Sequence, residues 1–177
     1  MSRRRLFVAL RPPAEVCEAL LDTMEGVAGA RWQDADNLHI TLRFIGEVDR
    51  HMYADILTAL ESVAMPPFPV EISGVGHFEG KRRSTAIWAR VTPSPGLAQL
   101  QHRIEMACRL AGLPPETRKF VPHVTLARLN SGSAPIGEWL AAHGRLSCTP
   151  WLAESFALYE SDLTPNGAIY REIHQFP

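Results

Sequence analysis

Leu38-His39-Ile40-Thr41-Leu42-Arg43-Phe44 decides how this chain is read, because its first half returns as Val121-Pro122-His123-Val124-Thr125-Leu126-Ala127. One histidine-x-threonine is noise. Two copies about half a chain apart, each in an apolar run of strand character and each followed by leucine, predict two equivalent half-sites meeting at one centre. Strand alternation puts His39, Thr41 and Arg43 on one face of the first copy, and Leu38, Ile40, Leu42 and Phe44 on the other.

A strand–helix–strand order precedes each copy. Arg5-Leu6-Phe7-Val8-Ala9-Leu10 reads as a buried strand stopped by Pro12-Pro13. Pro13 opens a helix whose apolar spacing, through Val16, Leu20, Leu21 and Met24, runs to Gly26. Gly46 is expected to end the first motif strand, and residues 52–63 to form a second helix on the sheet. Residues 70–78 and 85–91 alternate as a hairpin around the basic connection Glu79-Gly80-Lys81-Arg82-Arg83-Ser84. Ser94-Pro95 starts a third helix that closes at Gly112, and the second motif follows at once. Residues 136–143 read as a short helix. Residues 151–159 and 168–176 are expected to pair around Thr164-Pro165-Asn166-Gly167. The expectation is a duplicated α+β fold with a pseudo-twofold axis, built as a single domain over residues 1–177.

A chain of 177 residues with 46% hydrophobic content can bury a core of its own. Its formal net charge of -1 argues against a strongly basic binder of nucleic acid over its whole surface and leaves room for a local basic site. Lys81 and Lys119 are the only lysines among the 18 basic residues, so the cationic groups are nearly all planar guanidinium forks suited to phosphate. Cys17, Cys108 and Cys148 are odd in number and widely spaced, which encodes neither a disulfide framework nor a zinc knuckle. The apolar run after Arg3-Arg4-Arg5 stops at Leu10, too short for an export signal, and no apolar segment approaches the roughly 20 residues that cross a bilayer. A cytoplasmic, monomeric protein without membrane contact is expected.

Two imidazoles on opposite sides of a bond let one remove a proton while the other donates one. A threonine two positions along each strand points the same way and can donate its hydroxyl to an anionic oxygen between them. This equipment matches phosphodiester cleavage, in which a nucleophile is deprotonated, a leaving alkoxide is protonated and phosphoryl oxygens are held by donors. His51, His77, His102, His143 and His174 stand singly and read as surface or packing residues. No His-Glu-x-x-His is present, and the acids near the repeats make no ligand set, so neither metal nor cofactor is expected. Phe78, beside Arg82 and Arg83, is a candidate for stacking a base.

These motifs resemble the two-histidine phosphoesterases, and within them the bacterial RNA 2′,3′-cyclic phosphodiesterases long called 2′-5′ RNA ligases. The resemblance spans nearly the whole chain. It rests on the Arg5 to Leu10 opening, on Asn37-Leu38-His39-Ile40-Thr41-Leu42 with Phe44-Ile45-Gly46-Glu47-Val48, on Pro122-His123-Val124-Thr125-Leu126-Ala127-Arg128, and on a late segment containing Ser161-Asp162-Leu163. It implies a bilobal fold of two antiparallel sheets lining a central cleft, with helices outside, and metal-independent opening of a 2′,3′-cyclic phosphate at an RNA end to leave a 2′-phosphate. His39 would be the proton donor to the departing 3′ oxygen, and His123 the acceptor that activates water. Thr41 and Thr125 would hold the non-bridging oxygens, and Arg128 would bind phosphate.

Arg128 lies five positions after His123, so strict alternation sends it to the opposite face, whereas Arg43, four after His39, shares its histidine's face. Either a bulge or the strand's end turns Arg128 into the cleft, or Arg43 takes its place. The family pattern favours Arg128. The chain departs from that pattern at Arg11-Pro12-Pro13 and in the 79–84 hairpin, which bears on substrate range. Joining RNA ends through a 2′-5′ bond and opening a small cyclic nucleotide use the same groups, and a non-catalytic RNA-end binder is the alternative of another class.

Overall fold

The computed structural model describes residues 2–177. Two β–α–β units carry the two motifs. The first runs β1 (Arg4–Leu10), α1 (Ala14–Leu21), the short β2 (Arg31–Trp32) and β3 (Ile40–Val48), followed by α2 (Arg50–Glu61). After β4 (Phe68–Val70) and β5 (Ile72–Glu79), the second runs β6 (Ser84–Val91), α3 (Pro95–Leu110) and β7 (His123–Arg128), followed by α4 (Gly137–His143). The chain closes with β8 (Trp151–Ala153) and the hairpin β9 (Phe156–Thr164) and β10 (Gly167–Phe176).

The helices begin where capping chemistry directs. The Asp49 carboxylate accepts from the Met52 N–H at 2.8 Å, and the Ser94 hydroxyl accepts from the Leu97 N–H at 3.2 Å, with Pro95 in the first turn of α3. Helix α1 is shorter than its apolar spacing predicts. It gives way after Leu21 to tight turns in which the Thr23 and Met24 N–H groups bond Leu20 and Leu21 carbonyls, and the Thr23 hydroxyl donates to Leu20 O at 2.7 Å. Gly26, expected to end that helix, takes its left-handed φ of 88° only after these turns.

The strands form two antiparallel wings. One is ordered β10-β9-β1-β3, and the other β7-β6-β5 with β2 added on β7. They are the two halves of the duplicated fold, and a single antiparallel residue pair, Ile40 with Val124, joins them into one eight-stranded sheet. A separate two-stranded sheet, β4 with β8, was not foreseen, and it splits two runs that alternation had joined. Gly46 does not end its strand either. With φ near 90° it sits in a bulge, where Leu6 pairs with Gly46 and Phe7 with Phe44, and β3 continues to Val48.

One face of both wings is a common apolar core. Leu6, Val8, Ile40, Ile87, Val124 and Leu126 pack there with Ile56 and Leu60 of α2 and Leu97, Leu100 and Ile104 of α3. The opposite face carries a second, aromatic cluster of Phe7, Ala9, Ala157 and Tyr159, with Tyr170 against it. Cys17, Cys108 and Cys148 are free and buried. Among the described residues no helix is long and apolar enough to cross a membrane.

Candidate active site

The Ile40–Val124 pair centres the site. Directly paired residues in an antiparallel ladder point to one face, and both of these are buried in the core. Their neighbours on either side therefore project to the other face, which brings His39, Thr41, His123 and Thr125 together about the local twofold axis. Ladder spacing sets the two histidine Cα atoms about 8 Å apart.

Further along each strand a bulge breaks alternation at the same place. Thr41 pairs with Ala9 and Arg43 with Val8, which leaves Leu42 extra, while Thr125 pairs with Trp88 and Ala127 with Ile87, which leaves Leu126 extra. The Leu126 carbonyl accepts from the Gln33 N–H at 2.8 Å, which ties the second bulge to the end of β2. Beyond each bulge the faces swap, so Leu42 and Arg43, like Leu126 and Ala127, are buried in succession, and Phe44 and Arg128 emerge exposed. Arg128 thus returns to the face of His123, and its charge helps to hold the His123 pKa down.

Arg43, named as a further phosphate-binding candidate, is corrected by the same bulge. It is 7% exposed, donates from Nε to Glu105 at 2.5 Å, and spends its remaining nitrogens on the carbonyls of Phe44 and Pro114 at 2.7 and 2.6 Å. Burial pushes the Glu105 carboxyl up, but bonds from the Glu116 N–H, Arg109 and Arg43 outweigh it and leave the group below its usual range. This network joins β3 to α3 on the helical side and leaves Arg43 nothing to offer a ligand.

Each histidine sits among aromatic rings. His39 is enclosed by Tyr159, Tyr170 and Phe7, with ring centroids at 4.4, 5.7 and 5.8 Å. His123 meets Phe78 edge-on at 4.9 Å and Trp88 at 5.7 Å. The two surrounds are related by the duplication, since Tyr159 pairs with Phe7 of β1 as Phe78 pairs with Ala86 of β6. Phe78 was foreseen as a candidate. Tyr159, Tyr170, Phe7 and Trp88 were not, because their place depends on β9 lying beside β1 and β6 beside β7.

The electrostatics of the two halves differ. Burial is the main cause that lowers His39 to about 4, opposed by the Asn37 carbonyl and aided by the nearby Arg11 charge. Nδ1 of His39 is buried without a bond of good geometry, the Asn37 carbonyl standing where its counterpart Val121 stands in the other half. The turn before His39 is fixed from outside: Arg11 donates to the Ala35 and Asp36 carbonyls, and the Asn37 side chain donates to Ala168 O at 2.8 Å. His123 is also lowered, first by burial. Its Nδ1 lies 2.7 Å from the Val121 carbonyl, and since a carbonyl only accepts, Nδ1 carries the proton and Nε2 keeps its lone pair. Burial pushes the Tyr159 phenol up to about 12, so it remains a neutral donor at physiological pH. Among the described residues no group of three His, Cys, Asp or Glu side chains gathers as a metal site.

The model of the 2′-5′ RNA ligase superfamily matches residues 12–163 of this chain. The RNA 2′,3′-cyclic phosphodiesterase of Archaeoglobus fulgidus is 29% identical over 175 residues, which cover 97% of this chain and 99% of that protein. The RNA 2′,3′-cyclic phosphodiesterase of Aeropyrum pernix is 33% identical over 143 residues, covering 79% and 81%. Among solved structures, TT0787 of Thermus thermophilus superposes with a TM-score of 0.81 at 27% identity, covering 97% of this chain and 96% of that one. Escherichia coli LigT complexed with 3′-AMP shares the fold, with a TM-score of 0.79 at 24% identity over 99% and 98% of the two chains. Sequence and fold agree over almost the full length, and the chain belongs to the 2′-5′ RNA ligase superfamily.

Proposed function

We propose that this protein hydrolyses 2′,3′-cyclic phosphodiester ends of RNA to 2′-phosphomonoesters, with His39 and His123 as acid and base. The observation that carries the reading is the Ile40–Val124 pair, whose register sets two His-x-Thr units on one face about a twofold axis. A five-membered cyclic phosphate is a small anion with two departing-group oxygens, and a paired site of this size suits it. Curated relatives named RNA 2′,3′-cyclic phosphodiesterase, matched over 99% and 81% of their length, support the substrate class.

His123, with Nδ1–H held by Val121, takes a proton from water through Nε2 as the water oxygen attacks phosphorus. The P–O3′ bond breaks opposite the attack, and the 3′ oxygen takes a proton from His39, leaving the 2′-phosphate. Thr41, Thr125 and Arg128 hold the non-bridging oxygens as charge builds on them. Protonated His39 is disfavoured by burial in the free protein, and the anionic phosphate beside it offsets that penalty, so substrate binding loads the acid. The residues with these roles form one two-lobed domain over the whole chain, acting as a cytoplasmic monomer on RNA ends.

The test offers an oligonucleotide ending in a 2′,3′-cyclic phosphate, with chelator present, and identifies the product. A 2′-phosphate end supports the reading. A 3′-phosphate end or unchanged substrate contradicts it.

A further inference from the structure

A second guanidinium stands beside Arg128. In the short ladder of β2 with β7, Arg31 pairs directly with Arg128 and Trp32 with Ala127. Trp32 packs into the core, against Trp139. Arg31 therefore projects to the opposite face, the one that carries His123, Thr125 and Arg128. Directly opposed residues hold their Cβ atoms about 5 Å apart, and like charges so placed are destabilising. Neither arginine has a carboxylate or carbonyl partner among the described residues, although Arg4, Arg11, Arg43, Arg109, Arg118 and Arg171 each find one. Both are exposed. Two unneutralised forks side by side at the rim of the cleft are the electrostatic footprint of an anion larger than one phosphate.

We propose that Arg31 binds the phosphodiester on the 5′ side of the terminal nucleotide and so makes the site prefer an RNA strand over a mononucleotide. This rests on the reading of the cleft as an RNA-end site. Arg128 takes the reacting phosphate beside His123. Arg31, one strand farther from the histidines, about 4.8 Å in the ladder, meets the next charge along the chain. The second phosphate neutralises the fork that the reacting phosphate leaves uncovered, and this contribution comes with the longer ligand alone.

The experiment compares kcat/KM for a short oligonucleotide ending in a 2′,3′-cyclic phosphate with that for a nucleoside 2′,3′-cyclic phosphate. Equilibrium binding of an RNA ending in a 2′-phosphate and of a nucleoside 2′-phosphate is measured in parallel. Arg31→Gln is expected to lower kcat/KM on the oligonucleotide about tenfold, the range of one charged hydrogen bond at an open site, and to leave the mononucleotide unchanged. The dependence of oligonucleotide affinity on salt should flatten by about 0.7 in the log–log slope, one phosphate contact on a single strand. Arg31→Lys should recover part of both, and Arg103→Gln on α3, which also removes a positive charge, should keep the wild-type pattern. Equal loss on both substrates, no loss on either, or the same loss in Arg103→Gln overturns the proposal. If the wild type hydrolyses neither substrate, the reading of the cleft fails on its own, and the two binding measurements still decide the role of Arg31: an unchanged preference for the longer ligand in Arg31→Gln overturns it.

Discussion

Phe44 and Arg128 stand five residues after their histidines, beyond equivalent bulges, one aromatic and one cationic. The guanidinium of Arg5 lies over the Phe44 ring, 5.0 Å from its centroid. The duplication thus gives two equal half-sites as far as the threonines and makes them unequal one step later. Arg128 adds a cation beside His123 alone, which sets the two histidines in different fields.

Arg128→Ala is expected to lower kcat/KM by about 10- to 100-fold, the loss of a charged hydrogen bond near the reacting group, with little change in thermal stability. Steady-state kinetics beside a melting curve checks both halves of the statement.

Glu105→Ala strips Arg43 of its nearest carboxylate, the one at 2.5 Å, and leaves a guanidinium only 7% exposed with Glu116 at 4.0 Å. Removing one member of a buried pair typically costs about 3–5 kcal/mol, and urea unfolding should show a loss in that range. Arg43→Met combined with Glu105→Leu should recover much of it. The double variant, if it folds, should retain hydrolysis, because neither side chain faces the cleft.

Stability should fall as the solution is acidified through the His39 window. His39 is buried and lowered to about 4 from an ordinary value of 6.5. Between those values the unfolded chain binds a proton that the folded one refuses, so stability rises with pH across the window and is lost as pH drops from 6.5 toward 4. The contribution is roughly 3 kcal/mol at full extent. His39→Gln should flatten the slope of unfolding free energy against pH over this range, while an unaltered slope would assign it to other groups.

A methyl group at Gly76 would collide with the Trp88 ring, which packs beside His123. Gly76→Ala is expected to cost about 1–3 kcal/mol by overpacking and to lower activity by displacing the indole. A shift in tryptophan emission that disappears in a Trp88→Phe background would locate the effect.

Much of this site is written in the order of residues. The paired motifs, their threonines and the hairpin from Thr164 to Gly167 follow from spacing and turn chemistry, and α3 follows from Ser94-Pro95 at one end and Gly112 at the other. The choice between Arg43 and Arg128 is not written there, because a bulge shifts every later side chain by one face and is set by the partner strand. Leu42 is extra only against Val8 and Ala9, and Leu126 only against Ile87 and Trp88. The aromatic walls were hidden for a similar reason. Tyr159 reaches His39 from the far end of the chain, and no local pattern tells that β9 lies beside β1. The two-residue strand that carries Arg31 is too short for any periodicity to reveal.

The most direct test of the paired-histidine site is single-turnover hydrolysis of an RNA ending in a 2′,3′-cyclic phosphate, with chelator present, by the wild type, His39→Ala, His123→Ala and the double variant. Each single variant should lose at least about 10²-fold in rate, and the double variant much less than the product of the two losses, since both act in one step. Undiminished hydrolysis in either single variant would contradict the account.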